Sequence, residues 1–159
     1  MEEAEGKMFT TKATIENFIS QRKLAIVGVS RGGTKFGNMA YQALKEKGYS
    51  VFPVNPKAEN IAGERCYPNL RALPEAVGGA LIVVPPDETE HVVREAAAAG
   101  IRRIWLQQGA ESQAAIRFCE ENGIEVVHGE CILMFAEPVV SFHRWHRWLW
   151  KVLGKLPAD

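Results

Sequence analysis

The sequence predicts an α/β domain of the doubly wound type: a parallel five-stranded sheet with helices on both faces. Three observations carry this. Five short apolar runs recur along the chain, at 24–27, 49–54, 80–84, 104–106 and 125–127. They are largely continuous rather than alternating, the pattern of strands buried on both faces. Segments with helical spacing separate them, and such alternation calls for a parallel sheet with right-handed crossovers.

In chain order, Thr10 and Thr11 stand as caps before a helix whose apolar residues are Ile15, Phe18 and Ile19. The first strand, 24–27, ends at Gly28. A helix over 38–47 turns Met39, Ala40, Ala43 and Leu44 inward and is closed by Gly48. The second strand, 49–54, stops at Asn55-Pro56, and a looser stretch with Gly63 and Pro68 follows. The third strand, 80–84, is stopped by Pro85-Pro86. An alanine-rich helix over 87–99 begins with Asp87, Glu88 and Glu90 and is followed by Gly100. The fourth strand, 104–106, leads to a Gln108-Gly109 turn and a helix over 112–122 with Gly123 behind it. The fifth strand is 125–127. No repeat, linker or low-complexity tract interrupts this, so residues 1–159 read as a single domain with a core at 12–137.

A tail over 139–156 completes the layout. Phe142, Trp145, Leu149, Val152, Leu153 and Leu156 recur at spacings of three and four, an amphipathic helix with Arg144, Arg147, Lys151 and Lys155 on other faces. Trp148 and Trp150 widen its apolar surface. Packing on the domain or on a second copy in a homo-oligomer is preferred to a membrane surface. His143 and His146 lack a third ligand, so no metal site is expected.

The 159 residues, 47% hydrophobic and 24% charged, suit one domain with a core and exclude a disordered or collagen-like chain. No apolar run approaches the roughly 18 residues of a spanning helix, so no integral membrane segment is expected. The acidic start, Met1-Glu2-Glu3-Ala4-Glu5, lacks the apolar stretch of a secretory leader. Cys66, Cys119 and Cys131 are widely spaced and odd in number, pointing to reduced thiols and a cytoplasmic location. Lysines and arginines number 19 and so do acids, which argues against a nucleic-acid partner. Yet residues 24–57 carry five basic side chains against Glu46 alone, whereas 58–138 carry six against thirteen acids. The first structural unit thus suits a small anion.

Ligands of open parallel sheets bind beyond the carboxyl ends of the strands. After the first strand the chain reads Gly28-Val29-Ser30-Arg31-Gly32-Gly33-Thr34-Lys35-Phe36-Gly37, then a helix. Glycines let backbone N–H groups approach a phosphate, and a helix N-terminus favours negative charge. The loop is neither Gly-x-Gly-x-x-Gly nor a Walker loop. A nicotinamide-dinucleotide site usually ends its second strand with an acid that binds ribose hydroxyls; here stand Asn55, Pro56 and Lys57, a cation where a phosphate could lie. Val84-Pro85-Pro86 presents a flat apolar surface for an adenine or apolar chain, or is simply a rigid stop. Gln107 or Gln108 offers an amide, and Gly109 allows close approach.

In order and spacing over roughly 12–137, Gly28-Val29-Ser30…Gly37, Asn55-Pro56-Lys57, Val84-Pro85-Pro86, Trp105-Leu106-Gln107-Gln108-Gly109 and Cys131 resemble the small stand-alone CoA-binding proteins of the YccU-like family. Their fold is similar to the CoA-binding N-terminal domain of the succinyl-CoA synthetase alpha subunit. The resemblance implies a Rossmann-like domain that binds coenzyme A or an acyl-CoA. The loop 28–37, with Lys35 and Phe36, would hold the pyrophosphate. Lys57 would face the phosphorylated ribose, Val84 to Pro86 the adenosine end, and Gln107 to Gly109 the pantetheine. One departure is local: members commonly read Asp-Arg-Cys after the fifth strand, and this chain reads His128-Gly129-Glu130-Cys131.

For catalysis the candidates at the strand ends are Ser30, His128 and Cys131. A phosphate contact is the simpler role for Ser30, and a structural thiol the simpler role for Cys131. In the ligases that the domain resembles, the phosphorylated histidine lies in a second domain that a chain of this length does not hold. The expectation is therefore a CoA-binding module without its own chemistry. The alternatives are an NAD(P)-binding oxidoreductase or redox sensor on the same fold, and a scaffold or membrane-surface protein acting through 139–156.

Overall fold

A computed structural model describes residues 10–33 and 35–136. The tail helix expected over 139–156, with its contact to a second copy, lies outside the described residues. Four helices, α1 (Lys12–Ile19), α2 (Phe36–Glu46), α3 (Pro86–Ala98) and α4 (Gln113–Glu121), surround strands β1 (Lys23–Val27), β2 (Ser50–Val54), β5 (Gly79–Ile82), β6 (Arg103–Gln107) and β7 (Glu125–Glu130). These strands form one parallel sheet in the order β2-β1-β5-β6-β7. The chain leaves β1 in one direction towards β2 and returns on its other side at β5, so the topological switch lies between β1 and β5.

Alternation along each strand divides the core into two layers. Leu24, Ile26, Leu81, Trp105 and Val127 face α1 and α2 with Ile15, Phe18, Ala40, Tyr41 and Leu44. Ala25, Val27, Ala80, Ile82, Ile104, Leu106 and Val126 face α3 and α4 with Val92, Val93, Ala96, Ala115 and Ile116. Burying both faces is why the strands read as continuous apolar runs. Thr11 caps α1, accepting from the Thr14 backbone N–H at 3.2 Å while its own N–H donates to Thr14 Oγ1 at 2.9 Å. The helix lays Phe18 over Gly79, where a Cβ would stand 2.7 Å from the ring, and edge-on against Trp105 at 5.4 Å between centroids. Thr10 finishes the outer edge of β7, its hydroxyl bonding both the N–H and the carbonyl of His128 at 3.1 Å.

Several boundaries differ from the sequence expectation. Helix α2 starts at Phe36, so its inward stripe is Gly37, Ala40, Tyr41 and Leu44; Met39, expected inside, is 53% exposed, and Ala43 is half-buried. Strand β5 ends at Ile82, leaving Val83 and Val84 in the bend, and Pro86 is the first residue of α3 rather than a stop before it. A proline suits this place because its missing N–H has no partner in the first turn anyway. Strand β7 runs on to Glu130 and so contains His128. The looser stretch holds a small antiparallel hairpin, β3 (Asn60–Ile61) and β4 (Glu64–Arg65), which Tyr41 ties to α2 by donating to Glu64 at 2.6 Å. Among the described residues no helix is long and apolar enough to cross a membrane, and no cluster of His, Cys, Asp and Glu could hold a metal.

Candidate functional site

The ends of β1, β2, β5 and β6 form a mouth, and its tightest point is the switch. Gly28 ends β1 at φ +113°, and a Cβ there would lie 2.1 Å from the Val83 carbonyl oxygen. Val83 in turn donates to the Val27 carbonyl at 2.8 Å, so the bend after β5 is sewn to the end of β1. Gly37 is buried in the first turn of α2, where a Cβ would come within 2.6 Å of the Gly28 carbonyl oxygen. Close packing of α2 on the loop therefore explains this glycine, where the sequence had suggested room for a ligand.

Two asparagines hold the loop. Asn38 accepts from both the N–H and the hydroxyl of Ser30 at 3.0 Å and donates to the Ser30 carbonyl at 2.7 Å. The Ser30 hydroxyl, expected on a phosphate, is thus engaged by a neighbour that sequence reasoning passed over. The signal was there: an Asn in a first helical turn commonly competes for nearby backbone. Asn55, at the end of β2, donates to the Val29 carbonyl at 2.8 Å and accepts from the Lys57 N–H at 2.8 Å. Its side chain fixes the loop and turns Lys57 outward.

Arg31, Lys35 and Lys57 are exposed and have no carboxylate partner among the described residues. Arg31 lies in the loop before α2 and Lys57 follows β2; the N-cap of α2, Lys35, makes no side-chain capping bond, and the first turn of the helix carries no acid. The other helices that begin at the mouth differ. Helix α3 also lacks a side-chain cap, but it carries Asp87 and Glu88 in its first turn. Helix α4 is capped by Ser112, which accepts from the Ala115 N–H at 3.3 Å. Of the three, α2 alone presents open N–H groups with no carboxylate of its own turn beside them, the arrangement that suits an anion.

The remaining candidates line the other half. Val84 is half-buried, and Pro85 and Pro86 are exposed at the start of α3. Thr89, fully buried one turn on, donates to the Ala110 carbonyl at 2.7 Å and so ties α3 to the loop after β6. Gln107 is buried, and its side-chain carbonyl accepts from the Ile132 N–H at 3.1 Å. Gln108 donates to the Gly129 carbonyl at 3.1 Å, and the Gly109 N–H donates to Glu111 at 2.7 Å. The glutamine groups that sequence reasoning offered to a ligand are therefore partly spent on the protein.

No hydrogen bond joins His128 to Cys131 among the described residues. Burial pushes the Cys119 thiol up to about 12 and also raises Cys66, as befits inert core thiols. Glu130, beside Cys131, is 7% exposed, and burial lifts its carboxyl to about 7.

A glycine-rich turn at the switch point of a doubly wound parallel sheet defines an α/β domain of the Rossmann-like class. Within that class, residues 22–137 match the CoA binding domain family, and the chain belongs to it. A conserved hypothetical protein from Pyrococcus furiosus of solved structure is 43% identical and superposes with a TM-score of 0.67, covering 70% of this chain and 96% of that one. One from Pyrococcus horikoshii is 29% identical with a TM-score of 0.77, covering 89% and 100%. Among curated relatives, YneT of Bacillus subtilis is 24% identical, with 77% of this chain and 91% of that protein covered. Acetate–CoA ligase (ADP-forming) I of Archaeoglobus fulgidus is 27% identical over 76% of this chain, which spans 19% of that enzyme's length.

Proposed function

We propose that the protein binds coenzyme A or an acyl-CoA at the mouth of the sheet, with the pyrophosphate on the loop 28–37 and the N-terminus of α2. The observation that carries this is the start of α2: without a side-chain cap and free of acids in its first turn, with Arg31 and Lys35 exposed in the loop before it and Lys57 exposed after β2. Membership of the CoA binding domain family supports the choice of ligand. In this reading Lys57 meets the phosphate on the ribose, Val84, Pro85 and Pro86 lie against the adenosine end, and the pantetheine runs towards Gln107, Gln108 and Gly109. Asn55 acts by placing Lys57 rather than by touching the ligand. Ser30 offers its braced backbone, and Gly28 and Gly37 set the path of the loop.

The molecular event is binding rather than turnover, in a cytoplasmic protein. What supports the first point is that the Ser30 hydroxyl is engaged by the Asn38 side chain, that Asn55 and Gln107 bond backbone groups, and that no base is hydrogen-bonded to Ser30 or Cys131 among the described residues. Self-association through 139–156 belongs to the same proposal; sedimentation of a chain ending at residue 137 tests it, and the same number of copies per particle as in the full chain rules it out. Calorimetric titration with CoA, acetyl-CoA, NAD and NADP tests the ligand. Saturable heat with the CoA compounds alone is expected. Saturable heat with NAD and none with CoA overturns the reading.

A further inference from the structure

We propose that the outer flank of α2, formed by Phe36, Met39 and Ala43, is the surface on which a second copy of this chain docks through the apolar face of its 139–156 segment. The inference rests on the self-association proposed above and gives it a place on the fold.

Helix α2 lays Gly37, Ala40, Tyr41 and Leu44 inward, and its two flanks differ. On one flank Tyr41 donates to Glu64 and Lys45 pairs with the same carboxylate, so the β3–β4 hairpin is tied to that side. On the other, Phe36, Met39 and Ala43 follow at spacings of three and four and form one stripe along the helix. Phe36 and Ala43 are half-buried. Met39 is 53% exposed, the one large apolar side chain left so among the described residues. A single exposed Met needs no partner, but this one belongs to a stripe beside which the described residues end.

The occupant follows from where the chain goes. The turn Ile132–Met134 touches α2, and Phe135 and Ala136 are buried in the same core cluster as Ala40 and Leu44. Residues 137–159 therefore set out from beside this helix. Within them, 139–156 holds no acid, four lysines and arginines, and Trp145, Trp148 and Trp150. At the end of the α2 stripe stands the acid Glu46, to which the neutral Gln42 amide donates at 3.0 Å. A basic, apolar segment is thus complementary to the stripe in both respects.

Length and bulk favour a second copy over the chain's own helix. In helical form 139–156 would span about 27 Å, against about 17 Å for α2. Its tryptophans also widen the apolar surface beyond what three side chains can cover. Two flanks brought together around a twofold axis supply the missing area. A lipid surface also suits a basic, tryptophan-rich helix, but it leaves the α2 stripe uncovered.

Sedimentation of the full chain over a range of concentrations tests this, with peroxide oxidation of Met39 followed by mass spectrometry in the same samples. The expected result is a dimer in which Met39 oxidises about fivefold more slowly than after dilution to monomer. Met39→Lys changes an exposed position and adds no acid near the start of α2. It should raise the dissociation constant about tenfold or more, whereas Met39→Leu should leave it near wild type. A dimer that Met39→Lys leaves intact overturns the proposal alone. So does Met39 oxidation that is equally slow in dimer and monomer, which would place the chain's own tail on α2. A full chain that stays monomeric at every concentration, whether or not it pellets with phosphatidylglycerol vesicles, overturns the proposal together with self-association.

Discussion

The two halves of the mouth are built on opposite principles. Around β1 and β2, cations are exposed and unpaired by carboxylates among the described residues, while uncharged amides from Asn38 and Asn55 hold the backbone beneath them. Around β6 and β7, Trp105, Leu106, Gln107 and Glu130 are buried, and several polar groups are tied to the protein: the Trp105 indole donates to the Glu130 carbonyl and Gln107 accepts from the Ile132 N–H. The first half suits a ligand segment that brings several negative charges and keeps part of its hydration. The second suits a neutral, narrow segment with few polar atoms. A single elongated molecule with a polyphosphate at one end and an uncharged arm at the other, as in the proposed binding of CoA, would fit both.

The contrast breaks most sharply if the backbone joining the halves is disturbed. Gly28→Ala combines a left-handed φ with a clash against the Val83 carbonyl, and each effect costs about 1–3 kcal/mol. Urea denaturation should show that loss, and an unchanged midpoint would mean that the bend relaxes freely. Lys57→Ala should leave stability alone and weaken CoA by about 1–3 kcal/mol, the scale of a charge-assisted contact. Dephospho-CoA should lose less; equal losses place the 3′-phosphate elsewhere. Asn38→Ala removes the brace on Ser30 and should cost about 1 kcal/mol of stability, with weaker CoA binding than the stability change alone explains. Affinity equal to wild type would detach the loop from the ligand.

The smallest effect sharpens the acidic half. Unfolded, the Glu130 carboxyl titrates near its ordinary 4.5; folded, it holds its proton to about 7. Between these values the folded state binds more protons, so this group's contribution to stability is present below about 4.5, falls as pH rises towards 7, and is lost above. Glu130→Gln should remove that fall, and the difference between the two stability curves should widen across this window and then level. A constant difference would show that Glu130 is not held neutral.

What could be read from the sequence follows from burial. Strands covered on both faces have to be apolar throughout, so β1, β5 and the centre of β6 announced themselves, the partly buried edge strand β2 showed by its run up to Asn55-Pro56, and glycines closing helices marked the turns. Where one end of an element is polar, the signal faded. Strand β7 continues through His128, Gly129 and Glu130, none of which looks like a core strand residue. Helix α2 hides its phase because Gly37 occupies an inward position without apolar bulk, which sent Met39 inside on paper and outside in fact. The glycine loop and Lys57 were legible as types in places. The bracing by Asn38 and Asn55 was not, since it depends on contacts across 8 and 26 residues. Glu130 was noticed only as a departure from a motif, because a glutamate's burial is decided by its neighbours in space.

The most direct test of the central claim is amide chemical-shift mapping of the protein during titration with CoA. The largest shifts are expected at Gly28 to Gly33, Lys35 to Asn38, Asn55, Lys57 and Val84, with smaller ones at Gln107 to Gly109 and Glu130, and none from NAD at equal concentration. Shifts confined to other surfaces, or the same pattern evoked by NAD, would contradict it.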